Sequence, residues 1–134
     1  MLYVYRGFIT NRLEDIKNFC QMYLKEIKES VKDESLLFDI RLILNELIIN
    51  SFEHGNKYKN DKKIEIVSII DSDVIMIKVI DEGDGVLPFT INDIMKDSGR
   101  GLKLVYELSD EFLITENKVT AIIDNKNPFR KQFV

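Results

Sequence analysis

The sequence predicts an α+β fold, a two-layer sandwich in which helices cover one face of a mixed, mainly antiparallel sheet. Three observations carry this expectation. Apolar residues recur at helical spacing in two long segments, from Leu13 to Val31 and from about Asp33 or Glu34 to about His54. Two later pairs of apolar runs, 63–70 with 74–80 and 112–115 with 119–123, are each separated by turn residues and read as hairpins. The resulting order is strand, two helices, hairpin, loop, helix, hairpin. A parallel doubly wound sheet would instead need a helix between nearly every pair of strands.

Leu2 to Tyr5 reads as a short first strand, after which a Thr10 or Asn11 side chain can cap the first helix. Leu13, Ile16, Phe19, Cys20, Tyr23, Leu24, Ile27 and Val31 form the apolar stripe of that helix. Lys17, Lys25, Lys28 and Glu29 form its solvent side. In the second helix Ile40, Ile43, Leu44, Leu47, Ile48 and Ser51 share one arc at ~100° per residue. Leu42, Ile49 and Phe52 fall outside the arc, so burial on more than one side is expected; Gly55 fits a helix-ending position. Asp71-Ser72-Asp73 turns the first hairpin, and Asn117-Lys118 the second. Residues 81–99 read as a long loop with Gly83, Gly85, Gly99 and Pro88. Gly101 to Leu108 reads as a short helix with Leu102, Val105 and Leu108 at core spacing. No linker divides the chain, so 1–134 is expected to form one domain, with a core at about 8–124 and a peripheral polar tail at 125–134.

The composition narrows the function. The chain has 134 residues, 45% hydrophobic, which is enough for a real core, and a net charge of −4, unlike a dedicated nucleic-acid binder. A single cysteine, Cys20, excludes an intrachain disulfide and Cys-based zinc sites. A single histidine, His54, excludes His-rich metal sites. The N-terminus lacks the pattern of a signal peptide, and no apolar run is long enough to span a membrane, so a cytoplasmic location without membrane partners is expected.

Three segments carry more than packing. Glu46, Asn50 and His54 stand at i, i+4 and i+8, where each step rotates the side chain by only ~40°, so they form one polar stripe beside the apolar arc. A carboxylate and an amide at a core edge need partners, which a ligand and a metal ion, or loops and water, can supply. Asp81-Glu82-Gly83-Asp84-Gly85 follows directly on an apolar strand. There a carboxylate can accept from an exocyclic amine while glycines let the backbone approach a ligand; an ordinary acidic turn has the same composition. Gly99-Arg100-Gly101-Leu102 precedes a helix, and free N–H groups with a cation make an anion cradle, or simply a tight connection. P-loop, dinucleotide-fingerprint, protein-kinase and serine-hydrolase motifs are absent from the sequence.

In this order, over about residues 8 to 124, the three segments resemble the boxes of the GHKL ATPase superfamily, whose nucleotide-binding domain is the Bergerat fold. Glu46 to Asn56 resembles its N-box, Asp81 to Gly85 its first glycine box and Gly99 to Leu102 its second. Within the superfamily, this N-box on a small chain is similar to that of the bacterial anti-sigma factor serine kinases. The resemblance implies ATP and Mg²⁺ as cofactors. Asn50 would hold the metal. Asp81 would accept from the adenine amine, with Gly83 and Gly85 shaping its pocket. Gly99, Arg100, Gly101 and Leu102 would close over the phosphates, and His54 would belong to the nucleotide-binding stripe. Glu46 would act as general base on a serine hydroxyl.

The lone His54 lies within the N-box, so the phosphoaccepting histidine of a complete sensor kinase is missing. The resemblance therefore implies a protein serine kinase acting on a small STAS-type antagonist, with a sigma factor as a further partner and a homodimer as a possible state. The segment between Gly85 and Gly99 is shorter and poorer in Thr and Arg than the lid usual in those kinases. A non-catalytic module that uses ATP only to switch partners fits the same motifs.

Overall fold

The computed structural model describes residues 2–83 and 100–126. In chain order these form β1 (Tyr3–Thr10), α1 (Leu13–Ile27), α2 (Glu34–Asn50), a π-helical turn (Ser51–Gly55), β2 (Lys63–Ile70), β3 (Val74–Ile80), α3 (Arg100–Leu108), β4 (Glu111–Thr115) and β5 (Lys118–Asp124). The five strands make one sheet in the order β1-β2-β3-β5-β4. All four pairings among the described residues are antiparallel, so the parallel component of the expected mixed sheet is not found there.

The sheet has one buried face. Ile64, Ile66 and Ile70 on β2, Ile75, Ile77 and Val79 on β3, and Val119, Ala121 and Ile123 on β5 point into a single core with the apolar sides of the helices. This is the period-2 pattern of a sheet covered on one side. On its other face Val4, Phe8 and Leu113 are exposed.

β1 runs well past the expected Tyr5. The alternation continues through Arg6-Gly7, with Tyr3, Tyr5, Gly7 and Ile9 half-buried and the residues between them exposed, and the whole strand pairs with β2. Because Thr10 ends this strand, it does not cap the helix. Arg12 occupies the N-cap position without a side-chain hydrogen bond. Ile16, Phe19, Tyr23 and Ile27 bury the inner side of α1, whereas Leu13 is exposed at the helix start. Cys20 is half-buried beside the core, and desolvation pushes its thiol up to about 11, so it stays protonated.

α2 is held by burial rather than by propensity. Its four isoleucines cost at most ~0.7 kcal/mol each as helix formers. Burying Ile40, Ile43, Leu44, Leu47 and Ile48 completely returns ~1.5–3 kcal/mol apiece, which decides the balance. Leu42 and Ile49 are half-buried and Phe52 is buried, as the width of the apolar arc implies. Asp33 caps the helix, its Oδ1 accepting from Ser35 N at 2.9 Å and Leu36 N at 3.2 Å. α3 lies against α2, with Leu102, Val105 and Leu108 buried at the expected core spacing.

Candidate functional site

The end of α2 does not continue as an α-helix. Residues 51–55 form a π-turn, closed by Asn56 N–H donating to the Ser51 carbonyl at 2.7 Å. A π-turn takes up about one residue more than an α-turn, and such turns are frequent at functional sites. It breaks the expected three-residue stripe. Glu46 and Asn50, still in α2, are half-buried one turn apart, whereas His54 lies in the π-turn and is exposed.

The π-turn brings Ser51 and Gly55 against the end of β3. The Asp81 carboxylate packs on the bare Cα of Gly55, where a Cβ would overlap it, and Gly83 rests on the Gly55 carbonyl in the same way. Close approach, not a left-handed backbone, therefore explains glycine at 55. Asp81 Oδ1 accepts from Gly83 N–H at 2.8 Å. Burial raises the Asp81 pKa above its ordinary value, opposed by the Gly83 N–H and by the neighbouring Ser51 hydroxyl. Ser51 Oγ is buried and has no hydrogen-bond partner of normal geometry.

Asn117, in the turn between β4 and β5, fixes the main chain of Asp81 from the far side. Its carbonyl accepts from Asp81 N–H at 3.1 Å and its side-chain amide donates to the Asp81 carbonyl. The neighbouring Glu116 adopts φ 56°, a left-handed conformation that tightens this turn. Asn56 ties the opposite side, with its Oδ1 accepting from Glu82 N–H at 2.8 Å. Ser51, Gly55, Asn56 and Asn117 were not singled out individually by motif; only the first three lie within a segment that was.

At the other end of the site, the Glu46 carboxylate lies against the Cα of Gly101 near the start of α3, and a Cβ there would overlap Oε2. Leu102 is buried in the core and anchors this helix end. Arg100 is the first residue of α3. Gly85 and Gly99 lie outside the described residues. The described structure thus joins Glu46 to Gly101, and the Ser51–Gly55 turn to Asp81 and Gly83, at one end of α2.

The family model of the histidine kinase-like ATPase domain matches residues 9–123, nearly all of the chain. The chain belongs to this family. The antiparallel sheet with helices on one face is its ATP-binding fold, and an ATP-binding, kinase-like ATPase domain is what the match establishes. A search of curated proteins finds no match. No described helix is long and apolar enough to cross a membrane.

The residues of this ATPase domain fit a nucleotide. A buried carboxylate with one oxygen held by Gly83, beside the buried Ser51 hydroxyl, offers an acceptor and a second polar group to a planar base with an exocyclic amine. Among the described residues no group of three His, Cys, Asp or Glu could hold a metal. Mg²⁺ bound with a nucleotide needs no such cage, since it keeps several waters and takes phosphate oxygens.

Proposed function

We propose that the protein is an ATP-dependent protein serine kinase of the anti-sigma type, which transfers the γ-phosphate to a serine of a small STAS-type antagonist. The observation that carries this reading is the contact of Glu46 with Gly101. It sets a carboxylate beside the N-terminal end of α3, where free backbone N–H groups and the helix dipole favour phosphate.

Asp81 accepts from the adenine amine, and Gly83 allows the base to approach the backbone. Asn50 would hold Mg²⁺, whose charge would offset that of the phosphates. Glu46, one turn away, takes the proton of the incoming serine hydroxyl as that oxygen bonds to the γ-phosphorus. The bond from the γ-phosphorus to the bridging oxygen breaks, and ADP leaves. Catalysis of this kind is mostly positioning and charge stabilisation, for which one base and an N–H cradle suffice. Arg100 and Gly101, at the start of α3, would meet the phosphates. A sigma factor, sequestered in the other state of the protein, and a second copy of the chain complete the proposed set of partners.

The test is transfer of phosphate from Mg-ATP to the cognate antagonist, read as a mass increment, with Glu46→Gln alongside. Glu46→Gln is expected to keep nucleotide affinity and lose transfer. If the wild type binds ATP tightly and partner binding follows the nucleotide, but no phosphate moves, the protein is a partner-switching module instead.

A further inference from the structure

Asn56 has no role assigned by the motif reading, yet its side chain makes three hydrogen bonds at the site. It is only 2% exposed. Nδ2 donates to Asn11 Oδ1 at 3.1 Å and to the Lys63 carbonyl at 2.9 Å, while Oδ1 accepts from Glu82 N–H at 2.8 Å. One amide therefore ties the junction before α1, the start of β2 and the residue that follows Asp81. Glu82 is also held by its own side chain, whose Oε1 accepts from Lys63 N–H at 2.5 Å.

The geometry bears on Asp81 directly. The Gly55 Cα lies under the Asp81 carboxylate, and the Gly55 carbonyl lies under Gly83. Asn56 follows Gly55 in the chain, so the Asn56–Glu82 bond closes a short ring between the π-turn and the strand end. Within that ring Asp81 Oδ1 is occupied by Gly83 N–H. Asn117 and Gly83 N–H still hold Asp81 if the ring opens, but Gly55 is then free to move away from the carboxylate face it supports.

We propose that Asn56 is a positioning residue that, through Glu82 and Gly55, holds the Asp81 carboxylate in the orientation that distinguishes a 6-amino purine from a 6-oxo purine. This inference rests on the nucleotide reading above. It adds to that reading the residue that sets base selectivity. A part that only supports the fold would lower stability without changing the choice of base. A buried site built to pair with one hydrogen-bonding pattern rejects the wrong one strongly, and loses that discrimination when the group is misplaced.

The experiment is titration of the whole protein with Mg-ATP and Mg-ITP, which differ at the 6-position, by calorimetry. Wild type is compared with Asn56→Ala, Asn56→Asp and Tyr23→Phe. Asn56→Ala is expected to lower the ATP-to-ITP affinity ratio by about tenfold or more. Asn56→Asp keeps an oxygen for Glu82 N–H but turns its other oxygen on the Asn11 Oδ1 and Lys63 carbonyl acceptors, so it is expected to lower the ratio as Asn56→Ala does. Tyr23→Phe removes a buried bond away from this ring and serves as the stability control, with the ratio unchanged. An unchanged ratio in Asn56→Ala overturns the proposal, as does an equal fall in Tyr23→Phe. If Asn56→Ala does not fold, Asn56→Ser carries the same comparison with the same criteria. If the wild type binds neither nucleotide, the functional reading fails instead, so the two failures are distinct.

Discussion

Asp81→Asn is expected to move stability and ligand binding in opposite directions. In the apo protein the ionised carboxylate is buried against Gly55, and desolvation raises its pKa above the ordinary 3.8. The native state therefore holds its proton to higher pH than the unfolded chain does. Stability falls as pH rises from the unfolded value through the folded one, and at neutral pH the charge works against the fold. Asparagine has the same shape and no charge, so the variant should melt at or above the wild-type temperature at pH 7 and lack that acidic fall. Binding goes the other way. Gly83 N–H holds Oδ1, so the amide oxygen of asparagine takes that place and Nδ2 replaces Oδ2, the remaining acceptor. The adenine amine then meets a donor. Losing a hydrogen bond to a charged group costs about 1.5–3 kcal/mol, so ATP should bind roughly ten- to 150-fold more weakly. Inosine triphosphate should lose little or gain, because its 6-oxo group accepts from Nδ2. Scanning calorimetry from pH 3 to 8 and parallel titrations with both nucleotides measure the two effects. A variant that is destabilised at pH 7, or that keeps the wild-type preference for ATP, would refute this account of Asp81.

Three further outcomes are expected. Gly101→Ala places a methyl on Glu46 and should cut phosphoryl transfer by up to ~10²-fold, as misplaced catalytic groups do, while ATP affinity measured by titration changes far less. Tyr23→Phe removes the 2.7 Å bond between buried Tyr23 Oη and Ser68 Oγ, leaving the serine unpaired, and should cost about 1–3 kcal/mol in denaturant unfolding. Asp33→Ala removes the cap of α2 and should cost about 1 kcal/mol in the same assay, with nucleotide affinity unchanged, because the site lies at the opposite end of that helix.

The hairpins and the two long helices were legible because their signals are local. Asp71 accepts from Asp73 N–H at 2.8 Å and Val74 N–H at 2.7 Å, the self-contained turn that its spacing suggests. The apolar arc of α2 appears as written, from Ile40 to Ser51. The length of β1 was hidden because Arg6 and Gly7 interrupt its apolar character, and its partner β2 lies some 60 positions away. The cap of α1 was misplaced for the same reason, since the sheet claims Thr10 and the buried network claims Asn11. In the site, the Glu46–Asn50 pair followed from helical spacing. The position of His54 did not, because spacing assumes an α-helix to the end. Ser51 reads as a core position, Gly55 as a helix stop and Asn56 only as the end of the N-box segment. Their contacts with Asp81 and Glu82 link residues 25 or more apart, which no local pattern encodes.

The π-turn works as a phase shifter. Each residue of an α-helix advances the next by ~100°, so the one surplus residue in 51–55 swings everything after it by about that angle relative to an uninterrupted helix. That swing turns the amide of Asn56 inward and leaves the imidazole of His54 in water. The segment that follows is tied back to the turn, with Tyr58 N–H donating to the Phe52 carbonyl at 2.9 Å and its ring packing edge-on against Phe52. Removing any one of the five residues 51–55 would return the chain to its earlier phase and point the Asn56 amide away from Glu82.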